Sequence, residues 1–376
     1  MNKKILLCVN SDFAKGNSIG FRFFHVAKKL KKQGNNVQVI ARSNYSKDFL
    51  VITPWYTHYF SRLLNALRIY ILPWFDHRNI DVLVFDLFVL KQLKKIDINT
   101  IDTFFFGEFA ARSISYLKKQ GKEVILDLPI GHSGYSKYLL EQKNIRVGIG
   151  VEKEVPAYLD KTLNLIDQVI VPSDFVKMTL THSSVKNIKT SIVPFGVYLQ
   201  PNSKNIIKDD HVHFIFVGNV NMRKGVDTLL KAWKQCQFTN ATLHIYGRIY
   251  KELKSIIEEN KMDSIIFYGF ASKEEIYKQA NVLVFPTLLE GSAKVVYEAM
   301  SYSLPVITTN NAGSIISDKK EGLIIPIADV NKTADAMMYY YKSHNNLIKD
   351  GELAKQKVSN YTWDKYAQSV VSILTK

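Results

Sequence analysis

Two carboxylates, Glu290 and Glu298, stand with seven residues between them in Glu290-Gly291-Ser292-Ala293-Lys294-Val295-Val296-Tyr297-Glu298. The apolar run 282–285 lies just upstream and stops at Pro286, which predicts a strand that delivers Glu290 at its C-terminal end. The small residues Gly291, Ser292 and Ala293 then open a helix, and Glu298 falls about two turns into it. A helix start offers main-chain N–H groups and the positive end of the helix dipole, so Ser292, Ala293, Lys294 and Val295 form a candidate anion cradle. A carboxylate at the mouth, a cradle and a second carboxylate behind it suit a phosphate-bearing sugar nucleotide.

A second group of residues suits the same ligand. The buried-strand pattern 214–217 runs into Gly218, a flexible turn, and then Arg223-Lys224-Gly225 before another helical stretch, 226–234. Arginine grips a diphosphate with bidentate bonds and lysine acts as a point charge, so Arg223 and Lys224 are candidate diphosphate ligands. In the first half of the chain, His132 follows the strand pattern 124–128 between Gly131 and Ser133-Gly134, a position open to catalysis. Gly16 and Gly20 lie between the first strand and its helix, but their spacing is not the dinucleotide fingerprint, so a nicotinamide cofactor has no support. Asp-x-Asp, a Walker A loop and Gly-x-Ser-x-Gly are all absent, which argues against a metal-bound sugar nucleotide, a P-loop NTPase and an α/β-hydrolase.

These residues must be positioned by alternating elements. Strand patterns at 4–9, 37–41, 103–106, 124–128 and 168–171, and again at 214–217, 242–246, 265–268, 282–285 and 305–308, are separated by helical ones such as 19–33. That alternation predicts α/β architecture with two Rossmann-like, doubly wound parallel sheets facing each other across a cleft. The breakers Pro194, Gly196, Pro201, Asn202 and Ser203 place the boundary within 193–210.

Length and composition agree with this. The 376 residues accommodate two domains, and 47% hydrophobic against 22% charged residues is the balance of a packed chain. Two cysteines are too few for a disulfide scaffold, and no 18-residue apolar run predicts a transmembrane helix. The apolar run 5–9 is too short for a signal sequence, so a cytoplasmic location is expected. The net charge of +16 is uneven, +12 over residues 1–200 and +4 over 201–376. No nucleic-acid-binding signature accompanies it. Residues 49–75 combine Trp55, Tyr56, Tyr59, Phe60, Tyr70, Trp74 and Phe75 with Arg62 and Arg68. Such a segment either packs on its own domain or docks peripherally on an anionic membrane surface, the cytoplasmic face of the inner membrane.

At this point the chain resembles the family 4 glycosyltransferases of the GT-B fold, which are retaining and use nucleotide sugars. The resemblance rests on Glu290 and Glu298 as the Glu-x7-Glu pair, on Arg223-Lys224-Gly225, on His132, on Gly16 after the first strand, and on the runs 169–176, 192–197 and 361–363. It departs from the family where Gly291-Ser292-Ala293 replaces Gly-Phe-Gly, and where Phe106-Gly107-Glu108 lacks a histidine. It implies an acceptor-binding domain over 1–195 and a nucleotide-sugar domain over 196–360, with a last helix in 361–376 crossing back onto the first. It also implies that Arg223 and Lys224 neutralise the leaving diphosphate without a metal or cofactor. Glu298 would hold the ribose, Glu290 would face the donor sugar and its anomeric charge, and His132 would position sugar hydroxyls. The acceptor would be a glycan or lipid-linked molecule, as in bacterial cell-surface polysaccharide or glycolipid synthesis. Two alternatives stand beside this reading, a GT-B-fold nucleotide-sugar epimerase and a non-enzymatic basic scaffold for membranes or nucleic acid.

Overall fold

The computed structural model of the chain describes residues 2–16, 18–56, 78–107, 110–143, 156–185, 187–200 and 210–376. The apolar, β-branched runs form two all-parallel sheets. The first contains β1 (Lys4–Phe13), β2 (Asn36–Asn44), β3 (Val51–Ile52), β4 (Thr103–Phe106), β5 (Val124–Asp127), β6 (Gln168–Val171) and β7 (Lys189–Ile192), in the order β3-β2-β1-β4-β5-β6-β7. The second contains β8 (Val212–Val217), β9 (Ala241–Tyr246), β10 (Ile265–Gly269), β11 (Val282–Phe285), β12 (Val306–Thr309) and β13 (Gly322–Ile325), in the order β10-β9-β8-β11-β12-β13. The central strands are buried on both faces, as parallel strands between helix layers must be. The α/β doubly wound architecture expected from the alternation is the one observed.

Each sheet reverses direction once, between β1 and β4 in the first and between β8 and β11 in the second. The loops leaving paired strands diverge there and open a crevice at the strands' C-terminal ends. Three strands escaped the sequence reading, namely β3, β7 and β13. β3 has two residues, β7 is half-exposed and polar (Lys-Thr-Ser-Ile), and β13 begins at a glycine. Val51 and Ile52, at the start of the aromatic segment 49–75, pair with Val39 and Ile40 of β2. The remainder of that segment, 57–75, lies outside the described residues, as does Glu108. No helix among the described residues is long and apolar enough to cross a membrane.

The chain's last helix, Trp363–Leu374, lies on the first sheet. Trp363, Tyr366, Val370, Val371 and Leu374 share one apolar cluster with Ile5, Leu7 and Val9 of β1 and with Phe23 and Val26 of the helix Ile19–Lys32. Its ends are tied polar to polar: Lys29 Nζ to Asp364 at 2.9 Å, and Thr103 Oγ1 donating to the Leu374 carbonyl at 3.0 Å. The helix enters through Thr362, whose side chain caps it, and Val197 N–H donates to the Tyr361 carbonyl at 2.9 Å. A Cβ at Gly196 would stand 2.5 Å from the Trp363 main chain, so both crossings between the domains meet at a glycine.

Beneath this helix Arg22 is fully buried, ion-paired to Asp127 at the end of β5 and stacked 4.5 Å over the Phe195 ring. A buried pair is a weak source of net stability, but an orphaned partner is costly. Asp127→Ala should therefore lower the unfolding free energy by about 3–5 kcal/mol in urea melts. The double variant Arg22→Met with Asp127→Leu should recover most of that loss. Equal losses in both would show that the charge is not the cause.

Candidate active site

The loops after β8 and β11 meet at the second sheet's reversal point. The β8 loop ends in a turn over Met222–Lys224, where the Asn221 side chain accepts from Lys224 N–H at 3.1 Å. Gly225 closes it in the left-handed region, φ 70°, and a Cβ there would lie 2.0 Å from the Pro286 carbonyl oxygen. The two loops are then stitched together, because the Arg223 carbonyl accepts from Leu288 N–H at 2.9 Å and from Thr287 Oγ1 at 3.1 Å. Gly218, at φ 148°, turns the chain out of β8 against Gly247.

This backbone brings three charges together. Arg223 Nη1 donates to Glu290 Oε1 at 2.6 Å and to the Leu289 carbonyl at 2.7 Å. Lys224 Nζ donates to the same carboxylate oxygen and lies 4.9 Å over the Phe285 ring. Burial pushes the Lys224 ammonium below its usual pKa, while Glu290 pulls it back up. The carboxylate read as a sugar ligand and the cations read as a diphosphate clamp are thus in direct contact.

Glu298 sits about one turn into the helix Lys294–Ser301. Its Oε1 takes Lys273 Nζ at 2.6 Å and its Oε2 accepts from Tyr277 Oη at 3.1 Å. Tyr277 is fully buried, and burial, reinforced by Glu298, holds its hydroxyl protonated. Neither Lys273 nor Tyr277 was singled out from the sequence. The sequence Ser272-Lys273-Glu274-Glu275 carries a capping box that marks the start of the helix Lys273–Lys278, but not which residue that helix meets.

The anion cradle is partly spent within the fold. Ala293 N–H goes to the Ala312 carbonyl at 2.9 Å and Ser292 Oγ bonds Tyr297 Oη at 3.0 Å. Val295 keeps its first-turn N–H without an acceptor among the described residues. Lys294 reaches towards the first domain, 6.0 Å over the Trp363 ring. Its ammonium is pushed down to about 8, first by burial and then by Arg22, with Glu298 opposing.

His132 is not brought to this cluster. It is fully buried, its Nδ1 accepts from Gly134 N–H at 3.1 Å, and its Nε2 meets Asp160 Oδ1 at 2.9 Å. A ring with both nitrogens engaged inside its own domain holds the loop after β5 in shape. Gly16, at φ 61°, occupies the turn after β1 at the first sheet's reversal point, with open space beside it.

The sequence reading also missed how the first domain completes the site. Ser173 Oγ donates to the Gly291 carbonyl at 2.7 Å, and a Cβ at Gly291 would fall 1.7 Å from the Pro129 carbonyl oxygen. Leu288 and Leu289 are buried in the apolar cluster of the first domain, with Leu128 and Phe175. The Glu290 loop is therefore shared by both domains.

This arrangement has counterparts among known proteins. Residues 211–343 match the family described as Glycosyl transferases group 1. A Klebsiella pneumoniae protein described as an uncharacterized 41.2 kDa protein in the cps region is 24% identical over 67% of this chain and 72% of its own length. The Staphylococcus aureus capsular polysaccharide biosynthesis glycosyltransferase CapM is 26% identical over 39% of this chain and 40% of its own. The sucrose-phosphate synthase structure from Thermosynechococcus elongatus superposes with a TM-score of 0.73 at 18% identity, covering 99% of this chain and 98% of that one. The Anabaena HepE structure, in complex with UDP and glucose, superposes with a TM-score of 0.66 at 13% identity and covers 100% of both chains. The architecture is the GT-B fold of glycosyltransferases. The match to the group 1 glycosyltransferase model falls on the second sheet.

Lys294 yields a pH test. Its folded-state pKa of about 8 lies below the ordinary 10.5, so its charge opposes folding fully below pH 8. That cost fades as pH rises towards 10.5, because the unfolded chain then binds a proton that the folded one does not. Between pH 7 and 10 the wild type should gain stability relative to Lys294→Met in paired urea melts. A constant difference would remove the buried charge from the account.

Proposed function

We propose that this glycosyltransferase moves a sugar from a nucleoside diphosphate sugar to a glycan or lipid-linked acceptor, with retention, in cell-surface polysaccharide or glycolipid synthesis. The observation that carries the reading is the convergence of Arg223, Lys224 and Glu290 at the reversal point of the second sheet, with Glu298 one turn into the helix that follows. HepE, with UDP and glucose, supports the donor class, and CapM supports the pathway class.

The chemistry assigned to each residue follows from its place. Arg223 and Lys224 meet the diphosphate and stabilise it as the anomeric C–O bond breaks, the largest electrostatic term in such a transfer. The Val295 N–H and the Lys294 ammonium add to that field from the helix start. Glu298, held by Lys273 and Tyr277, keeps acceptor lone pairs for the ribose hydroxyls. Glu290 faces the donor sugar, where positive charge grows. His132 keeps the loop 128–134 in place beside Gly291, and Gly16 lets the sugar approach the first domain. The acceptor oxygen enters from the first domain on the face that the nucleotide leaves, and its proton passes to a departing phosphate oxygen. Nothing in this scheme calls for a metal or cofactor.

A thermal-shift screen of nucleoside diphosphates and their sugars tests the donor. The anomer of the product, read by NMR, tests retention, and an inverted product would refute it. Arg223→Ala should weaken nucleoside diphosphate binding by about 1.5–3 kcal/mol in calorimetry. Unchanged affinity would take Arg223 out of the site, and activity lost in EDTA and restored by a divalent ion would refute the metal-free scheme.

The +12 of residues 1–200 supports a further reading, that the enzyme is cytoplasmic and docks reversibly on the anionic inner membrane surface that presents its acceptor. Co-sedimentation should rise with the anionic lipid content of vesicles and fall with salt. Equal binding to neutral vesicles would refute it.

A further inference from the structure

We propose that Glu290 also serves as the internal counter-ion of the diphosphate clamp, and thereby disfavours a bare nucleoside diphosphate relative to a sugar-bearing one. The proposal rests on the reading of Arg223 and Lys224 as that clamp. Three observations carry it.

The first is that Arg223 Nη1 and Lys224 Nζ are both aimed at one oxygen, Glu290 Oε1, at the exit of β8. Phosphate oxygens would need those same donors, so carboxylate and diphosphate compete for them. The second is burial. The side chains of Lys224 and Glu290 are only 12% and 16% exposed. The Arg223 side chain is 25% exposed, so Lys224 is the drier of the two cations; a pair that close together needs a counter-charge, and a carboxylate pushed away from it needs a new partner.

The third is that the loop cannot yield. Its main chain is fixed by Glu290 N–H to the Asn311 carbonyl at 3.0 Å, by Ser173 Oγ to the Gly291 carbonyl at 2.7 Å, and by Arg223 Nη1 to the Leu289 carbonyl at 2.7 Å. Leu288 and Leu289 are buried against the first domain. Exchange of carboxylate for phosphate is therefore a rotation of the Glu290 side chain alone. A nucleoside diphosphate entering without a sugar displaces the carboxylate and leaves it unpaired. A sugar nucleotide brings hydroxyl donors that receive it. Glu290 thus weakens product binding more than donor binding, and the diphosphate delivers the carboxylate to the sugar.

The test is isothermal calorimetry with inorganic pyrophosphate, UDP and GDP on the wild type, Glu290→Gln, Glu290→Asp and Arg223→Gln. Glu290→Gln keeps the size and loses the charge, so it should bind pyrophosphate and the preferred nucleoside diphosphate about five- to tenfold more tightly. Glu290→Asp shortens the reach and should fall between. It also carries the test should Glu290→Gln fail to fold. Arg223→Gln should bind more weakly than the wild type. If both Glu290 variants bind with unchanged or lower affinity while Arg223→Gln weakens, the counter-ion role is overturned and the clamp stands. If no protein binds any of the three anions, the clamp itself is overturned.

Discussion

Two cations held side by side out of water repel one another and lose hydration, and a fold that keeps them must supply an opposite charge at the same place. Arg223 and Lys224 approach that position, with side chains 25% and 12% exposed. Their closeness follows from the tight turn that Asn221 caps and Gly225 closes, and their burial follows from the Phe285 ring and the Pro286 carbonyl against which the turn lies. Once the turn is fixed, the neighbouring strand must end in a carboxylate, and β11 can deliver one only because the sheet order places it beside β8. The reversal of strand order, the glycine turn and the position of Glu290 are thus linked by one electrostatic demand.

The second domain does not meet that demand alone. The main chain that carries Glu290 leans on the first domain through Ser173 and the close approach of Gly291 to Pro129, and a Cβ at Gly313 would collide with both Gly291 and Ser173. Small residues at 291 and 313 are what allow two domains to come within van der Waals contact at a loop that also holds a buried charge. Inside this loop the Ser292 hydroxyl meets the Tyr297 hydroxyl, which fills the space beside it. Beneath the last helix, Arg22 and Asp127 lock the helix Ile19–Lys32 to the end of β5. The two domains are joined by a shared loop and a returning helix rather than by a linker alone.

Much of this architecture could be read from the residues because local and global preferences agree. The runs 103–106, 168–171 and 282–285 are apolar on both faces, bounded by turn formers, and they are strands with those limits. Strands that needed their neighbours to form could not be read that way. Lys189–Ile192 is polar and is a strand only because β6 offers its edge. In the site, residues near one another in sequence were legible, as with Glu290 and Glu298 around one helix start, and Arg223 and Lys224 in one turn. Contacts that tie distant segments were not. Nothing in the sequence places Lys273 and Tyr277 on Glu298, or Ser173 on Gly291, across 118 positions. His132 shows the complementary limit. Flanking glycine and serine are as compatible with a capping ring as with a catalytic one, and only the partners Gly134 and Asp160 decide between them.

The charge of the chain gains a second meaning from these contacts. A net +16 reads from composition as attraction to some extended anionic surface. Part of that excess is instead local. Arg223 and Lys224 converge on Glu290, Lys273 pairs with Glu298, and Lys294 opens the helix that carries Glu298. Desolvation sharpens the effect, since it lowers the pKa of both Lys224 and Lys294 and so marks them as charges that the protein holds at a cost. Such a crevice favours a compact polyanion over a diffuse one, because a small ligand with several charges can reach the converging cations together. A diphosphate has that shape. The same arithmetic limits the affinity for it, because every carboxylate that makes the cluster foldable must be released or shared when the phosphates arrive.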